Sequence, residues 1–450
     1  MLYQLSYRRA GGGFYDRRGS REATVSSRVM RGVPRTVWLL IAAGVAIRVL
    51  LAYLFVGAQQ DIDNLAAVGG AVRDHPLILY DLASPHSAPV WPYPPGLVPW
   101  VAASSWLAEA TGIAFHGLVQ LAAIAADAVL ALLVWIALQG TGLSERKRVA
   151  AVALVALGPA FIAISGYHGQ IDSVAIAPAL AALLVWERGE SPWRALWAGL
   201  LIGCGGAVKQ VALVMIVALL PTARSRQEWV LLPLAALAVP VGLLAPYLLH
   251  DSSAVSDALS YSGLPGLGGF GLAVHAARAL FSARYALDGP LPNSDLLYES
   301  GPYVVAAALA LALALMASRR TPPRRAAVIV WLAVYALGVN FAPQYAVWGL
   351  PFFLLAGYLT ATAVVQIALV PPFVIYYTDP GGKPALVVYT VFMVALWAAA
   401  AVGLALAVRR ELAAPSRDPV PGGGRAAPRR AAEGPARSAS GGPAAGRGRA

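Results

Sequence analysis

Three short stretches carry the side chains that could do chemistry. QQDIDNL supplies Asp61 and Asp63, GYHGQID supplies His168, Gln170 and Asp172, and Lys209 interrupts a long apolar run. A carboxylate can take the proton of an attacking hydroxyl. An ammonium at the edge of a low-dielectric region can hold a phosphate that would otherwise be unpaired. Gln344 and Tyr345, in NFAPQY, add an amide and a phenol between two apolar runs. Each group also has a plainer reading. The two aspartates could be solvated carboxylates at a helix exit, and Lys209 could snorkel to the interface. Lys209 is nevertheless singular: of the three lysines, with Lys147 and Lys383, it alone lies within an apolar run. The histidines at 75, 86, 116, 168, 250 and 275 show no metal-ligand spacing, so no metal and no other cofactor is called for.

The solvent around these groups follows from composition. Of 450 residues 58% are hydrophobic and 12% charged, and mean hydropathy is +0.65. A soluble chain carries about a quarter charged residues. The apolar residues fall in blocks near the roughly 20 needed to cross a bilayer, and in hydrocarbon such blocks must be helices. The expectation is an all-α polytopic membrane protein. The net charge of +12 sits largely in the tails and basic loops, which points to anionic lipid headgroups and away from nucleic acid.

Placing basic loops in the cytoplasm gives a trace. A basic tail (1–35) precedes a first helix over 36–57, and a long polar loop follows over 58–115. Within that loop, 96–112 reads as a short helix on the outer surface. Spans over 116–139, 149–165 and 172–186 lead to 194–221, split into a hairpin with Lys209 at its tip. Then come 229–249, a second long outer loop over 250–300, and spans over 302–318, 326–340, 345–359, 361–377 and 385–408. The total is about twelve helices (11–13) of the usual spanning length, with both termini cytoplasmic. The three regions are thus 1–35, a membrane domain over 36–408 and a disordered tail over 409–450, rich in Pro, Gly, Ala and Arg. On this trace the helix middles are clean, and the ionisable groups collect at the outer ends, with His275, Arg278, Arg284 and Tyr285 added by the second loop. That is unlike a transporter, which carries charge near mid-membrane.

Taken in order, these pieces resemble the C-type glycosyltransferases, membrane enzymes that use polyprenyl-phosphate sugars. QQDIDNLAAVGGAVRDHPLILYD is similar to that family's catalytic-Asp segment, which runs on to a tyrosine, here Tyr80. WPYPPGLVPW, with Tyr93, looks like the element closing that loop. GYHGQID through AVKQVALV is similar to a pattern in bacterial relatives of mannosyl- and glucosyltransferases that build GPI anchors and N-glycans. NFAPQYAVWGLPFFLL resembles their late PQY element. The tryptophan usual after the loop aspartate is absent, and His168 stands where tryptophan is common. The resemblance implies transfer of a sugar, mannose first, from a polyprenyl-phosphate donor to a glycolipid or glycan, with inversion, at the outer face of the cell membrane. It implies Asp61 as base with Asp63 as alternate, and Lys209, Arg278 and Arg284 on the donor phosphate. Tyr80, Tyr93, His168, Gln170, Asp172, Gln344 and Tyr345 would bind sugar or acceptor or brace the loop. The rival readings are a flippase for a lipid-linked sugar and an outward-facing ligase or polymerase. Neither needs a carboxylate after the first helix.

Overall fold

The computed structural model describes residues 32–82, 89–191, 193–261, 267–276, 294–378 and 382–413. Among them the regular structure is helical throughout, with no strand. The helices are α1 (Arg35–Leu54), α2 (Gln59–Asp74), α3 (Val98–Thr111), α4 (Phe115–Leu138), α5 (Glu145–His168), α6 (Asp172–Arg188), α7 (Arg194–Val208) and α8 (Gln210–Thr222). After these come α9 (Arg226–His250), α10 (Ser252–Ser260), α11 (Gly269–Val274), α12 (Ser294–Arg319), α13 (Pro323–Leu337), α14 (Leu350–Leu355), α15 (Leu359–Thr378) and α16 (Gly382–Ala413). Among the described residues seven helices are long and apolar enough to cross a membrane: α1, α4, α5, α9, α15, the Glu299–Arg319 part of α12 and the Lys383–Ala413 part of α16. The chain is an all-α polytopic membrane protein.

The sequence trace and the structure part company in four places. The first polar loop holds α2, which the trace lacks, beside the short helix expected over 96–112, found as α3 and at 14 residues too short to span. The second loop holds α10 and α11, while Arg278, Arg284 and Tyr285 lie outside the described residues. The stretch read as one span over 345–359 is instead a 3₁₀ turn, Pro343–Trp348, followed by the six-residue α14. The helix middles are not clean.

That last difference concerns Arg48, on α1, and Asp127, at the centre of α4. Their side chains are 1% and 2% exposed, and Arg48 Nε lies 2.8 Å from Asp127 Oδ2. The pair exists because α5 is broken. Pro159 has no N–H to give to Val155 O, and the extended backbone at Gly158 takes the Ala160 N–H away from Ala156 O, so both carbonyls lose their helical partners. In a bilayer no water replaces them. Arg48 does: Nη2 donates to Val155 O (3.0 Å) and Nη1 to Ala156 O (2.5 Å). Ser173 of α6 donates to Asp127 Oδ1. One guanidinium therefore ties α1, α4, α5 and, through Asp127, α6.

The other ties are steric and peripheral. Gly199 and Gly203 form a GxxxG face on α7 against α9; a Cβ there would come within 2.6 and 2.7 Å of the carbonyl oxygens of Leu232 and Ala236. At the helix ends beside the basic loops, Arg194 grips Glu228 with two hydrogen bonds (2.8 and 2.9 Å), and Arg324 meets Glu187 at 2.8 Å. The expected hairpin at Lys209 is present: α7 stops there, and Gly205 and Gly206 face Ala212 and Leu213 across the turn.

Arg48→Leu leaves the buried Asp127 carboxylate without its countercharge, though still bonded by Ser173, and two carbonyls unmet. It is expected to cost about 3–5 kcal/mol, read as a large fall in thermal unfolding temperature in detergent. Adding Asp127→Leu should recover only part of this, since the carbonyls of Val155 and Ala156 stay unmet. An unchanged unfolding temperature in the single variant would refute the role.

Candidate active site

The site is built where helices break. The end of α5 winds into a π-helical turn, Ile162–His168, in which Gly169 N–H reaches back to Ile164 O at 3.0 Å. Such a turn swings side chains off the regular helical face, and π-turns occur often at functional sites. Here it aims His168 and Gln170 at α2. The loop before α2 is pressed against the same turn at Gly57. Its φ is +82°, and a Cβ would stand 1.9 Å from Tyr167 O, so only glycine fits.

Asp61 opens α2 and meets this turn. His168 Nε2 and Gln170 Nε2 both lie 2.6 Å from its Oδ2. A carboxylate only accepts, so Nε2 carries a hydrogen toward Asp61, while Nδ1 is hydrogen-bonded to Tyr377 Oη, 2.8 Å away on α15. Among the described residues nothing bonds the second oxygen, Oδ1, and the side chain is 40% exposed. Partial burial pushes the Asp61 pKa up. The His168 and Gln170 hydrogen bonds and the positive fields of His168 and Lys209 outweigh that and hold it below the ordinary 3.8.

Asp61 lines a cavity of about 170 Å³. Aromatic rings (Trp91, Tyr93, Tyr261, Tyr345, Tyr376) and amides (Gln60, Asn64, Gln170, Asn340, Gln344) make up most of the rest of its wall. Asp61 is the one charged side chain among the described lining residues. Rings and amides are the pairing that receives a sugar, with apolar ring faces against aromatic faces and hydroxyls against amides.

Beside the cavity a second carboxylate uses only one of its oxygens. Asp172 is buried; its Oδ1 accepts from Lys209 Nζ at 2.7 Å and from the indole N–H of Trp348, while Oδ2 is enclosed with no hydrogen-bond partner among the described residues. The ammonium is boxed by the rings of Tyr93, Tyr345 and Trp348, whose centroids lie 5.1, 5.0 and 5.3 Å away. Lys209 is therefore no free cation at the cavity surface.

The residues singled out from sequence divide accordingly. Asp61, Tyr93, Gln170, Gln344 and Tyr345 line the cavity, and His168 supports Asp61 from behind. Asp172 and Lys209 form the neighbouring buried pair. Asp63 points elsewhere: it is exposed, bonded by Gln59 at 2.7 Å, and not in the wall. Tyr80 also stands outside, its hydroxyl donating to Tyr93 O at 2.8 Å. Tyr377, Tyr376, Trp348 and Asn340 were missed. The tyrosine pair at the end of α15 reads in sequence as an ordinary interfacial belt. Among the described residues no three acidic, histidine or cysteine side chains converge as a metal site.

The family model described as glycosyltransferase family 87 matches residues 91–343, more than half of the chain. The match begins at Trp91 and takes in His168, Gln170, Asp172 and Lys209; Asp61 lies upstream of it. No curated protein and no solved structure matches the chain.

Lys209→Met would strand Asp172 in apolar surroundings. The expected cost is about 3–5 kcal/mol, seen as loss of folded protein by size-exclusion chromatography or a fall in unfolding temperature. Lys209→Met with Asp172→Asn should regain much of it. Were Lys209 only a ligand-binding cation, the single variant would keep wild-type stability.

Proposed function

This chain belongs to glycosyltransferase family 87, and we propose that it moves mannose from a polyprenyl-phosphate donor to a hydroxyl of a glycolipid or glycan at the outer face of the cell membrane. The observation that carries this reading is the unequal use of the Asp61 oxygens. Oδ2 is pinned by His168 and Gln170, and Oδ1 is left open on a cavity of rings and amides. Oδ1 is the base. It takes the acceptor hydroxyl proton as that oxygen forms its bond to the anomeric carbon from the face opposite the phosphate. The bond between the anomeric carbon and the phosphate oxygen breaks, the electron pair leaves with polyprenyl phosphate, and the configuration inverts. The leaving group is a stable anion and requires positive charge, not a proton. Arg278 and Arg284 are assigned that charge. Lys209, already bonded to Asp172, adds only its field.

The flippase alternative gains one observation, the intramembrane charges of Arg48 and Asp127. These are saturated by one another, by backbone carbonyls and by Ser173, and neither lines the cavity. They read as structure, not as a transport path.

The test is transfer from radiolabelled polyprenyl-phosphate mannose into a membrane-lipid extract by purified protein. Asp61→Asn should lower the rate about 10²- to 10⁴-fold with folding intact, and Asp63→Asn should leave it near wild type. A fully active Asp61→Asn would remove the base. The pH profile adds a sign. A depressed pKa keeps the base ionised, so wild-type activity is lost only as pH falls below the ordinary 3.8. His168→Ala removes hydrogen bond and charge while burial remains, so the acid limb moves to higher pH. Tyr377→Phe frees the ring but spares the Asp61 contact, and its loss should be the smaller.

A further inference from the structure

A second cavity, of about 330 Å³, differs from the Asp61 cavity in composition, though both back onto the segment 340–346: Phe341 and Ala346 line the second, Ala342 and Tyr345 the first. It runs along α16, past Met393, Gly403, Ala407 and Arg410, and its other wall includes Val328 and Leu332 of α13 and Tyr358 before α15. It exists because α16 packs against α13, α15 and α11 but leaves most of its length open: only 6% of its membrane window is buried. In a bilayer such a trough is filled by chains, since an empty one would forfeit dispersion contacts along both walls.

Its polar groups say which chains. The hydroxyl of Tyr335 donates to Ala346 O (2.9 Å), and the indole of Trp397 donates to Ala336 O (2.9 Å), so both are satisfied inside the protein. Tyr358 and Arg410 are exposed, and neither side chain has a protein partner among the described residues. The one acid beside Arg410, Glu411, is taken up by Arg325 and Thr321. The mouth is therefore cationic, with Arg409 exposed next to it. From Arg410 the trough passes the small residues Ala407, Gly403 and Ala400 over ten residues, about 15 Å of helix. That is half the roughly 30 Å hydrocarbon core, the reach of one leaflet. Beyond it the wall becomes bulky, with Trp397 and Met393.

We propose that this groove is a binding site for an anionic glycerophospholipid drawn from the leaflet on the Arg410 side. One acyl chain lies along Ala400, Gly403 and Ala407, and the phosphate sits on the Arg410 guanidinium with the Tyr358 hydroxyl beside it. The lipid replaces the packing that α16 lacks and so holds it against α13 and α15. A polyprenyl chain serving the Asp61 cavity would carry its phosphate elsewhere and would be indifferent to Arg410.

The experiment is native mass spectrometry and lipid extraction of the full chain purified in mild detergent, then thermal unfolding in nanodiscs of phosphatidylcholine with and without phosphatidylglycerol. Wild type should retain anionic phospholipid and unfold at higher temperature when phosphatidylglycerol is present. Arg410→Gln should lower the retained anionic lipid about tenfold, the loss of one charge-assisted contact, and abolish the phosphatidylglycerol effect. Its unfolding in pure phosphatidylcholine should be unchanged, which separates lipid binding from misfolding. Ala400→Phe, which fills the trough, should exclude the lipid while Arg410 remains. Equal retention of zwitterionic lipid, retention of a polyprenyl lipid instead, a lipid-free dimer, or an Arg410→Gln variant with wild-type lipid content would each overturn the proposal.

Discussion

The constraint on which this structure turns is that a backbone carbonyl freed inside a bilayer must find a donor within the protein. Each place where a helix departs from regularity is therefore an obligation placed on some side chain. At Pro159 the obligation falls on Arg48, which leaves its own helix face to cap α5 and then needs Asp127 to balance its charge. A broken helix, a buried ion pair and the mutual placement of α1, α4 and α5 are thus one event. It also fixes the stretch immediately downstream, because the π-helical turn carrying His168 begins only three residues after Pro159. The aim of His168 at Asp61 is inherited from a guanidinium buried in the bundle.

The same logic gathers the cavity. Its walls come from the turn after α5, the start of α2, the segment closing the first loop and the 3₁₀ turn at Pro343–Trp348. None of these is the middle of a regular helix. Non-helical backbone at this depth is tolerated where it is enclosed by protein or lines a polar space. Chain irregularity and polar lining therefore occur together, since each makes the other affordable in free energy.

What the sequence disclosed follows the same division. The long apolar helices could be read from length, and the hairpin at Lys209 from a run too long for one span, but α2, α10 and α11 within the polar loops could not. The polar cluster GYHGQID stood out because polar groups between apolar runs must have a reason. The pair Arg48 and Asp127 did not stand out. Each is a single charge within a long apolar block, and the partnership depends on a helix break whose carbonyls no composition profile displays. Tyr377 was hidden for a related cause: an aromatic at a helix end is ordinary at an interface, and only its hydroxyl's 2.8 Å approach to His168 distinguishes it. The sequence likewise put Asp61 first only by resemblance, with Asp63 as its alternate. Two positions along a helix differ by about 200°, which turns one toward the cavity and the other away.

Asp61 and Asp172 show what partner choice does to a carboxylate. Asp172 meets a full positive charge with one oxygen, is enclosed by protein, and forms no part of the cavity wall. Its charge is met by Lys209, and its second oxygen is enclosed by protein, away from the cavity. Asp61 meets an imidazole and an amide through one oxygen and remains partly open. Two donors on one oxygen orient a carboxylate while leaving the other oxygen to a ligand. An acidic group in this chain can exchange a proton with a bound hydroxyl only where it combines a fixed orientation with an oxygen open to the cavity. Asp172 has only the first. Asp61 has both.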